Sequence, residues 1–288
     1  MLQHLLNGIA TGALYAVIAL GIVLLYRTSR VLNFAHGDLA MVGVFLVWSL
    51  GQTSLGFPGG LAVGLLAASA LGALFYFGVL APVREATLLG QIVLTLGLSQ
   101  VLSGAALVYW GADTKAFAFP LSSMVTYRVG GAVISQLTLG SLAVAVALMA
   151  GLYFLVQRTR VGLGMRALSQ DLDAARVLGI PTRRLLALTW GVAALLGAAA
   201  GVLLAPLTFL HPYFMLTPFL KGFTAAVLGG LDSVPGAIAG GLVLGVIESF
   251  FAGYVSLSFV STLSFGLILL VLLVRPEGLL GHAFQRRV

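Results

Sequence analysis

The sequence has no cysteine and very little charge. Only 8% of its 288 residues are charged and 60% are hydrophobic, with a mean hydropathy of +1.11. A soluble domain typically carries about 25% charged residues, so this class is excluded. Without cysteine, neither a disulfide nor a thiolate metal site can form. The sequence also contains no phosphate-binding GxxxxGK[ST] loop, no arrangement typical of a catalytic triad and no histidine-rich metal site, and therefore predicts no enzyme activity and no cofactor.

Apolar runs long enough to cross a membrane recur along the chain. A spanning helix needs about 20 mostly apolar residues. The apolar runs predict spans at 5–26, 33–50, 60–81, 88–110, 134–156, 185–205, 217–231, 235–253 and 257–274. The sequence GGLDSVPGA interrupts the run 217–245, so either half of this run is a candidate for a partial or broken helix. The sequence thus predicts an all-α, polytopic membrane protein of eight or nine transmembrane helices that form one domain over 1–288.

The basic residues predict the orientation of the chain. The first apolar run follows no basic start and is longer than a signal-peptide core, so we expect it to stay in the membrane as a helix. Loops rich in Lys and Arg face the cytoplasm. This rule predicts an external N-terminus and a cytoplasmic C-terminus, with only Lys115 and Arg128 in outer loops. The predicted cytoplasmic residues are Arg27, Arg30, Arg84, Arg158, Arg160, Arg166, Arg176, Arg183, Arg184, Arg275, Arg286 and Arg287.

The densest concentration of charge lies in the predicted cytoplasmic loop 157–184. Ser169 is placed to cap a short helix, with Asp171 in the first turn, where the helix dipole favours negative charge. Gly179 is able to end this helix in a left-handed conformation, and Pro181 prevents its continuation. The pattern predicts a protruding helix of about two turns rather than a plain connector.

Eight polar residues and two glycines within the predicted spans are the candidates for a transport pathway or gate. They are Asn33, His36, Asp38, Thr95, Ser99, Ser103, Lys221, Gly229, Gly230 and Glu248. Asn33, His36 and Asp38 are predicted near the cytoplasmic start of the second span, where Asp38 either stabilises a helix start capped by Asn33 or acts as a gate. His36 and Asp38 are two residues apart and do not share a helical face, which argues against a proton relay or metal pair.

The other candidates also have two interpretations each. Thr95, Ser99 and Ser103 are four residues apart, and this row either lines a pore or forms hydrogen bonds between helices. Lys221 and Glu248 approach the outer ends of neighbouring spans, where they form an ion pair or line a vestibule. Gly229 and Gly230 belong either to a broken helix on the translocation path or to a tight cytoplasmic loop.

Three long segments of the chain resemble one family of transport proteins. RALSQDLDAARVLGIPTRRLLALTW, VLNFAHGDLAMVGVF and FTAAVLGGLDSVPGAIAGGLVLGVIES, followed by RPEGLLG, are similar to segments of H-type permease subunits in ATP-binding-cassette (ABC) importers for branched-chain amino acids. The resemblance implies a bacterial or archaeal plasma membrane protein that forms the pathway for leucine, isoleucine and valine. Permeases for urea, short amides or other small polar solutes share this scaffold and remain an alternative.

The resemblance also implies the partners of the chain. They are a second, related permease subunit, two cytoplasmic ATPase subunits and an external amino-acid-binding protein. The loop helix would then be the coupling helix that docks on an ATPase, through Ala167, Asp171, Ala175, Leu178, Gly179 and Ile180. A secondary transporter driven by an ion gradient is the alternative from another class, and it would need ionisable residues deep in the helix bundle.

Overall fold

The computed structural model describes residues 1–83, 87–129 and 131–281. The α-helices of the described chain are α1 (Leu2–Ser29), α2 (His36–Gly51), α3 (Gly56–Phe75), α4 (Leu88–Trp110), α5 (Gln136–Arg158), α6 (Arg160–Gln170), α7 (Leu172–Val177), α8 (Thr182–Thr208), α9 (Leu216–Gly229), α10 (Val234–Tyr254) and α11 (Val260–Val274). A π-helical turn, Tyr76–Leu80, extends α3. Arg84, Arg286 and Arg287, predicted to be cytoplasmic, lie outside the described residues.

Every predicted span coincides with a helix, which confirms the all-α fold class. Six helices are long and apolar enough to cross a membrane: α1, α3 with its π-turn, α4, α5, α8 and α10. The other three, α2, α9 and α11, have 16, 14 and 15 residues. At a rise of 1.5 Å per residue, each falls short of the roughly 30 Å hydrocarbon layer. These three are the short helices among the predicted spans.

The loop predicted between α4 and α5 contains a β-hairpin that the sequence pattern did not reveal. Strands β1 (Thr126–Val129) and β2 (Ala132–Ser135) pair antiparallel, with Tyr127 opposite Ile134. Gly131 makes the turn at a φ of +86°, a conformation that favours glycine. The side chain of Gln3 forms two hydrogen bonds with the backbone of β2. Its Nε2 donates to the Val133 carbonyl at 2.8 Å, and its Oε1 accepts from the Val133 N–H at 2.7 Å.

The chain forms two compact units, each assembled from segments that are distant in the sequence. The first unit comprises 1–23, 121–146 and 220–288, and the second comprises 24–120 and 147–219. The prediction of one domain over 1–288 stays a prediction.

Close contact between α1 and α10 in the first unit depends on glycine. A Cβ atom at Gly241 would lie 2.6 Å from the Cα of Ala16, and one at Gly12 would lie 2.9 Å from the Cα of Leu242. Helices in a membrane gain no hydrophobic advantage from association, so small residues that let backbones approach carry much of the packing. In the second unit, Gly197 and Gly201 of α8 instead leave space for side chains of α2, those of His36 and Val44, respectively.

We predict that Gly241→Ala destabilises the protein by about 1–3 kcal/mol, the usual cost of forcing a methyl group into a packed interior. The matched control is Gly266→Ala in α11, where a Cβ atom meets nothing within 4 Å. This control should be neutral or stabilising by up to about 1 kcal/mol, since Ala is the better helix former. Thermal unfolding of both variants in detergent is the measurement. Equal stabilities would contradict the packing described for α1 and α10.

Candidate functional site

The charged loop 157–184 folds as two helices, α6 and α7, rather than one. Asp171 caps α7, its Oδ1 accepting hydrogen bonds from the N–H groups of Asp173 at 3.0 Å and Ala174 at 2.9 Å. The prediction that Ser169 caps this helix is wrong. Ser169 lies in the last turn of α6, where its hydroxyl donates to the Arg166 carbonyl at 2.7 Å. The helix starts two residues later than the sequence pattern indicated because α6 runs on to Gln170.

The end of α7 follows the prediction, and it fixes the helix on the core of the second unit. Gly179 has a φ of +78°, and the N–H of Ile180 donates to the Ala175 carbonyl at 3.1 Å. Ala175 is 3% exposed, and Leu172 and Ile180 pack against a buried cluster that includes Trp190. One face of α7 is therefore anchored.

The opposite face of α7 projects into solvent. Val177 and Leu178 are 87% and 78% exposed, respectively, which is unusual for large apolar side chains outside a lipid-facing helix. Asp173 and Arg176 form an exposed ion pair with a 3.4 Å separation. Ala167, in contrast, lies partly buried within α6. The arrangement is an exposed apolar tip on a helix whose other face is anchored.

Asp38 lies in the first turn of α2 and forms a polar cluster with α4. Ser99 Oγ donates to Asp38 Oδ2 at 2.5 Å, and Ser103 Oγ donates to Asp38 Oδ1 at 2.6 Å. Such short distances are typical of hydroxyl groups that donate to a carboxylate. Ser99 lies halfway along α4, so α2 begins beside the middle of α4. Asp38 nevertheless lies in the first turn of its own helix, as the sequence predicted.

The segment that leads into α2 explains this placement. Residues 30–35 are largely non-helical, yet Val31 and Asn33 are 6% exposed and Ala35 is fully buried. Non-helical backbone at membrane depth is tolerated only where protein buries it or where it lines a cavity. Asn33 does not cap α2, since its Oδ1 accepts from the Ala35 N–H at 3.0 Å. Thr95 does not join the Asp38 cluster and donates instead to backbone carbonyls, that of Ile92 at 2.9 Å among them.

His36 is fully buried on another side of α2 from Asp38. Its ring packs 6.3 Å from the ring of Phe219, and a Cβ atom at Gly197 would lie 3.1 Å from its Nε2. Neither ring nitrogen has a hydrogen-bond partner among the described residues. As the two-residue spacing indicates, His36 and Asp38 form no pair. No group of three potential metal-ligating side chains is found in the part of the chain that the structure describes.

Lys221 and Glu248 form a buried ion pair in the first unit. Lys221 Nζ donates to Glu248 Oε2 at 2.8 Å, which confirms the predicted pairing. Two partners that the sequence did not reveal complete the cluster. Tyr15 of α1 donates to Glu248 Oε2 at 3.0 Å, and Ser264 of α11 donates to Glu248 Oε1. Lys221 Nζ also lies 3.2 Å from the Tyr15 hydroxyl.

The Glu248 cluster joins four helices through one carboxylate. Glu248, Tyr15 and Ser264 are each at most 6% exposed. A single tyrosine or serine in an apolar run carries no sequence signal of its own, because its partner lies far away along the chain. Such a buried pair can be close to neutral for stability when complete, whereas removal of one partner typically costs about 3–5 kcal/mol.

Gly229 is the last residue of α9, and Gly230 begins the tight turn to α10. Gly230 has a φ of +107°. The segment that follows α11 closes over this turn, with the Leu279 N–H donating to the Leu228 carbonyl at 2.8 Å and the Leu280 N–H to the Gly229 carbonyl at 3.0 Å. The geometry favours the tight loop over the broken helix for these glycines.

The long apolar helices of the described chain define a helical, multi-pass membrane protein. The fold is similar to that of a solved structure of PsaBC from Streptococcus pneumoniae in complex with Fab, with a TM-score of 0.50 at 16% identity over 96% of this chain and 92% of that chain. The chain belongs to the family described as branched-chain amino acid transport system / permease component, whose model matches residues 4–273.

Curated relatives from several bacteria match this chain over its full length. The high-affinity branched-chain amino acid transport system permease protein BraD of Pseudomonas aeruginosa is 34% identical and covers 100% of this chain and 98% of its own. The corresponding LivH protein of Escherichia coli is 33% identical over 100% of this chain and 97% of its own.

We predict that Lys221→Met destabilises the first unit by about 3–5 kcal/mol, because the buried Glu248 carboxylate loses its cation. The double variant Lys221→Met/Glu248→Gln, which removes both charges at nearly constant volume, should recover most of that loss. Thermal unfolding of the single and double variants in detergent measures the coupling. Losses that simply add would show that the two side chains do not stabilise one another.

Proposed function

We propose that this chain is the membrane-spanning permease subunit of an ABC importer for branched-chain amino acids. The observation that carries the proposal is full-length similarity, at 33–34% identity, to relatives named as branched-chain amino acid permease proteins. The six long apolar helices support a multi-pass membrane location. Leucine, isoleucine and valine combine a zwitterionic head with an apolar side chain, and both polar clusters and apolar helices are available to them.

In this proposal the chain forms a passive pathway and its partners supply energy and selectivity. An external binding protein delivers the amino acid, and two cytoplasmic ATPases hydrolyse ATP. A second, related permease subunit completes the pathway. The chain itself contributes no catalytic residue.

The anchored helix α7 is the proposed point of contact with an ATPase. Its exposed tip, Val177 and Leu178, offers apolar surface to a groove on the ATPase. Its buried face, through Ala175 and Ile180, would pass a push directly into the core of the second unit. Because packed interiors respond to force as near-rigid bodies, movement of the ATPases would shift whole helices.

The pathway would use the polar clusters unequally. Asp38, Ser99 and Ser103 are the proposed pathway residues, with Asn33 and His36 in the adjoining segment as gate candidates. Lys221 and Glu248 neutralise one another and would hold α9 and α10 together. Thr95, Gly229 and Gly230 have structural roles in this proposal. Thr95 binds backbone carbonyls, and the two glycines allow the tight turn after α9.

We predict ATP-dependent uptake of leucine by proteoliposomes that contain this chain and its neighbouring transporter subunits, with ATP inside and binding protein outside. Leu178→Glu should reduce uptake and ATPase assembly together, because it places a carboxylate in an apolar contact. The measurement is radiolabelled leucine uptake, with co-purification of the ATPase as the second readout.

The matched control is Leu257→Glu, since Leu257 is also 78% exposed but lies between α10 and α11. It should leave assembly intact. Uptake that follows an ion gradient and ignores ATP would contradict the importer. If only another solute supports ATP hydrolysis stimulated by the binding protein, the chain is still an importer subunit but its substrate is not leucine.

The proposed orientation places the N-terminus outside and the loop 157–184 in the cytoplasm. The chain contains no cysteine, so single substitutions report position without background. We predict that a membrane-impermeant maleimide added to intact cells labels Asp113→Cys and not Asp173→Cys, although both side chains are exposed. Permeabilised cells should show labelling of both. The reverse pattern in intact cells would invert the topology.

A further inference from the structure

The two carboxylates within the apolar helices have very different surroundings. Glu248 is 5% exposed and neutralised by Lys221 at 2.8 Å. Asp38 is partly exposed, and no Lys, Arg or His nitrogen of the described residues lies within 4 Å of its carboxylate. We propose that Asp38, held by Ser99 and Ser103, binds the ammonium group of the transported amino acid.

The carboxylate of Asp38 has unused hydrogen-bond capacity for a cationic donor. A carboxylate offers about four lone-pair positions for hydrogen bonds. The two serine hydroxyls occupy one position on each oxygen, at 2.5 and 2.6 Å. They orient the carboxylate and stabilise its anionic form, but hydroxyl groups carry no positive charge. A further N⁺–H donor is the group that this site lacks.

The depth of Asp38 makes a counter-charge more valuable. The carboxylate lies beside the middle of α4, and charges are most costly in the middle of a bilayer. The first turn of α2 stabilises the anion through the helix dipole. The dipole does not neutralise it, and a binding site must keep an unpaired charge until its ligand arrives. Glu248 shows that this chain supplies a cation where a carboxylate is only structural.

An unpartnered amide group lies five residues before Asp38 in the sequence. Asn33 is 6% exposed, and its Nδ2 has no hydrogen-bond partner among the described residues. An amide N–H is a donor of the kind that a carboxylate accepts. A zwitterionic amino acid carries both charges, whereas a sugar or a neutral amide carries neither. The inference rests on the proposed function and identifies Asp38 as the residue that binds the ammonium group.

The first test uses the assembled wild-type complex in detergent, without binding protein. A ligand that binds only the folded state raises the melting temperature. We expect millimolar leucine and leucinamide, which both carry an ammonium group, to raise it. We expect 4-methylpentanoate, which keeps the carboxylate and the apolar chain, to leave it unchanged. Three results would overturn the inference. They are a higher melting temperature with 4-methylpentanoate alone, a higher melting temperature in Na⁺ than in choline, and no change with any of these compounds.

The second test compares Asp38→Asn with Asp113→Asn, an identical change at an exposed loop carboxylate. We expect Asp38→Asn to reduce leucine uptake about tenfold or more, equivalent to about 1.4 kcal/mol, and to abolish the thermal shift by leucinamide. Complex assembly and binding-protein-stimulated ATP hydrolysis should persist, and Asp38→Glu should restore part of the uptake. Asp113→Asn should match the wild type.

The outcomes separate this inference from the proposed function. Unchanged uptake by Asp38→Asn, or an equal loss of uptake, ATP hydrolysis and assembly, would overturn a role in ammonium binding. Either result leaves leucine uptake by the wild type, and with it the proposed function, intact. Failure of the wild type to import leucine would reject the proposed function, while the thermal shifts with leucinamide still report on Asp38.

Discussion

An anionic carboxylate among apolar helices needs a positive partner, and this requirement organises the interior of the protein. In the first unit, Lys221 meets it at 2.8 Å, and Tyr15 and Ser264 fill the remaining positions around Glu248. Because α1, α9, α10 and α11 each contribute one of these residues, satisfying one charge also fixes four helices. In the second unit, Asp38 receives hydroxyl donors but no cation from the described residues. That difference is the basis for the structural role that we propose for one cluster and the binding role that we propose for the other.

Close packing complements this electrostatic arrangement. Glycines on α10 let it approach the backbone of α1, and glycines on α8 leave space for side chains of α2, so the helices within each unit pack closely. Ala175, Leu172 and Ile180 anchor α7, and with it the exposed tip, on the closely packed core of the second unit. A partner that moves this tip would move helices rather than deform a loop. This property is what a transporter driven from outside its own membrane domain requires.

Local signals predicted most of the fold, and contacts between distant residues explain the errors. All the spans followed from hydropathy, and the stop of α7 followed from Gly179, because these signals act over a few residues. Asp171 replaced Ser169 as the cap because α6 extends further than its polar sequence indicated. The position of Asp38 beside the middle of α4 depends on the buried segment 30–35, which has no periodic pattern. Tyr15 gave no signal, since its partner Glu248 lies in a distant part of the sequence.

The most direct measurement of the central claim is a cryo-electron-microscopy structure of the reconstituted importer with leucine trapped in the permease. The account predicts density for the amino acid with its nitrogen at a charge-assisted hydrogen-bond distance from Asp38, about 2.7–2.9 Å, while the Lys221–Glu248 pair stays closed. Leucine bound at Lys221 or Glu248, with Asp38 still contacted by Ser99 and Ser103 alone, would contradict it.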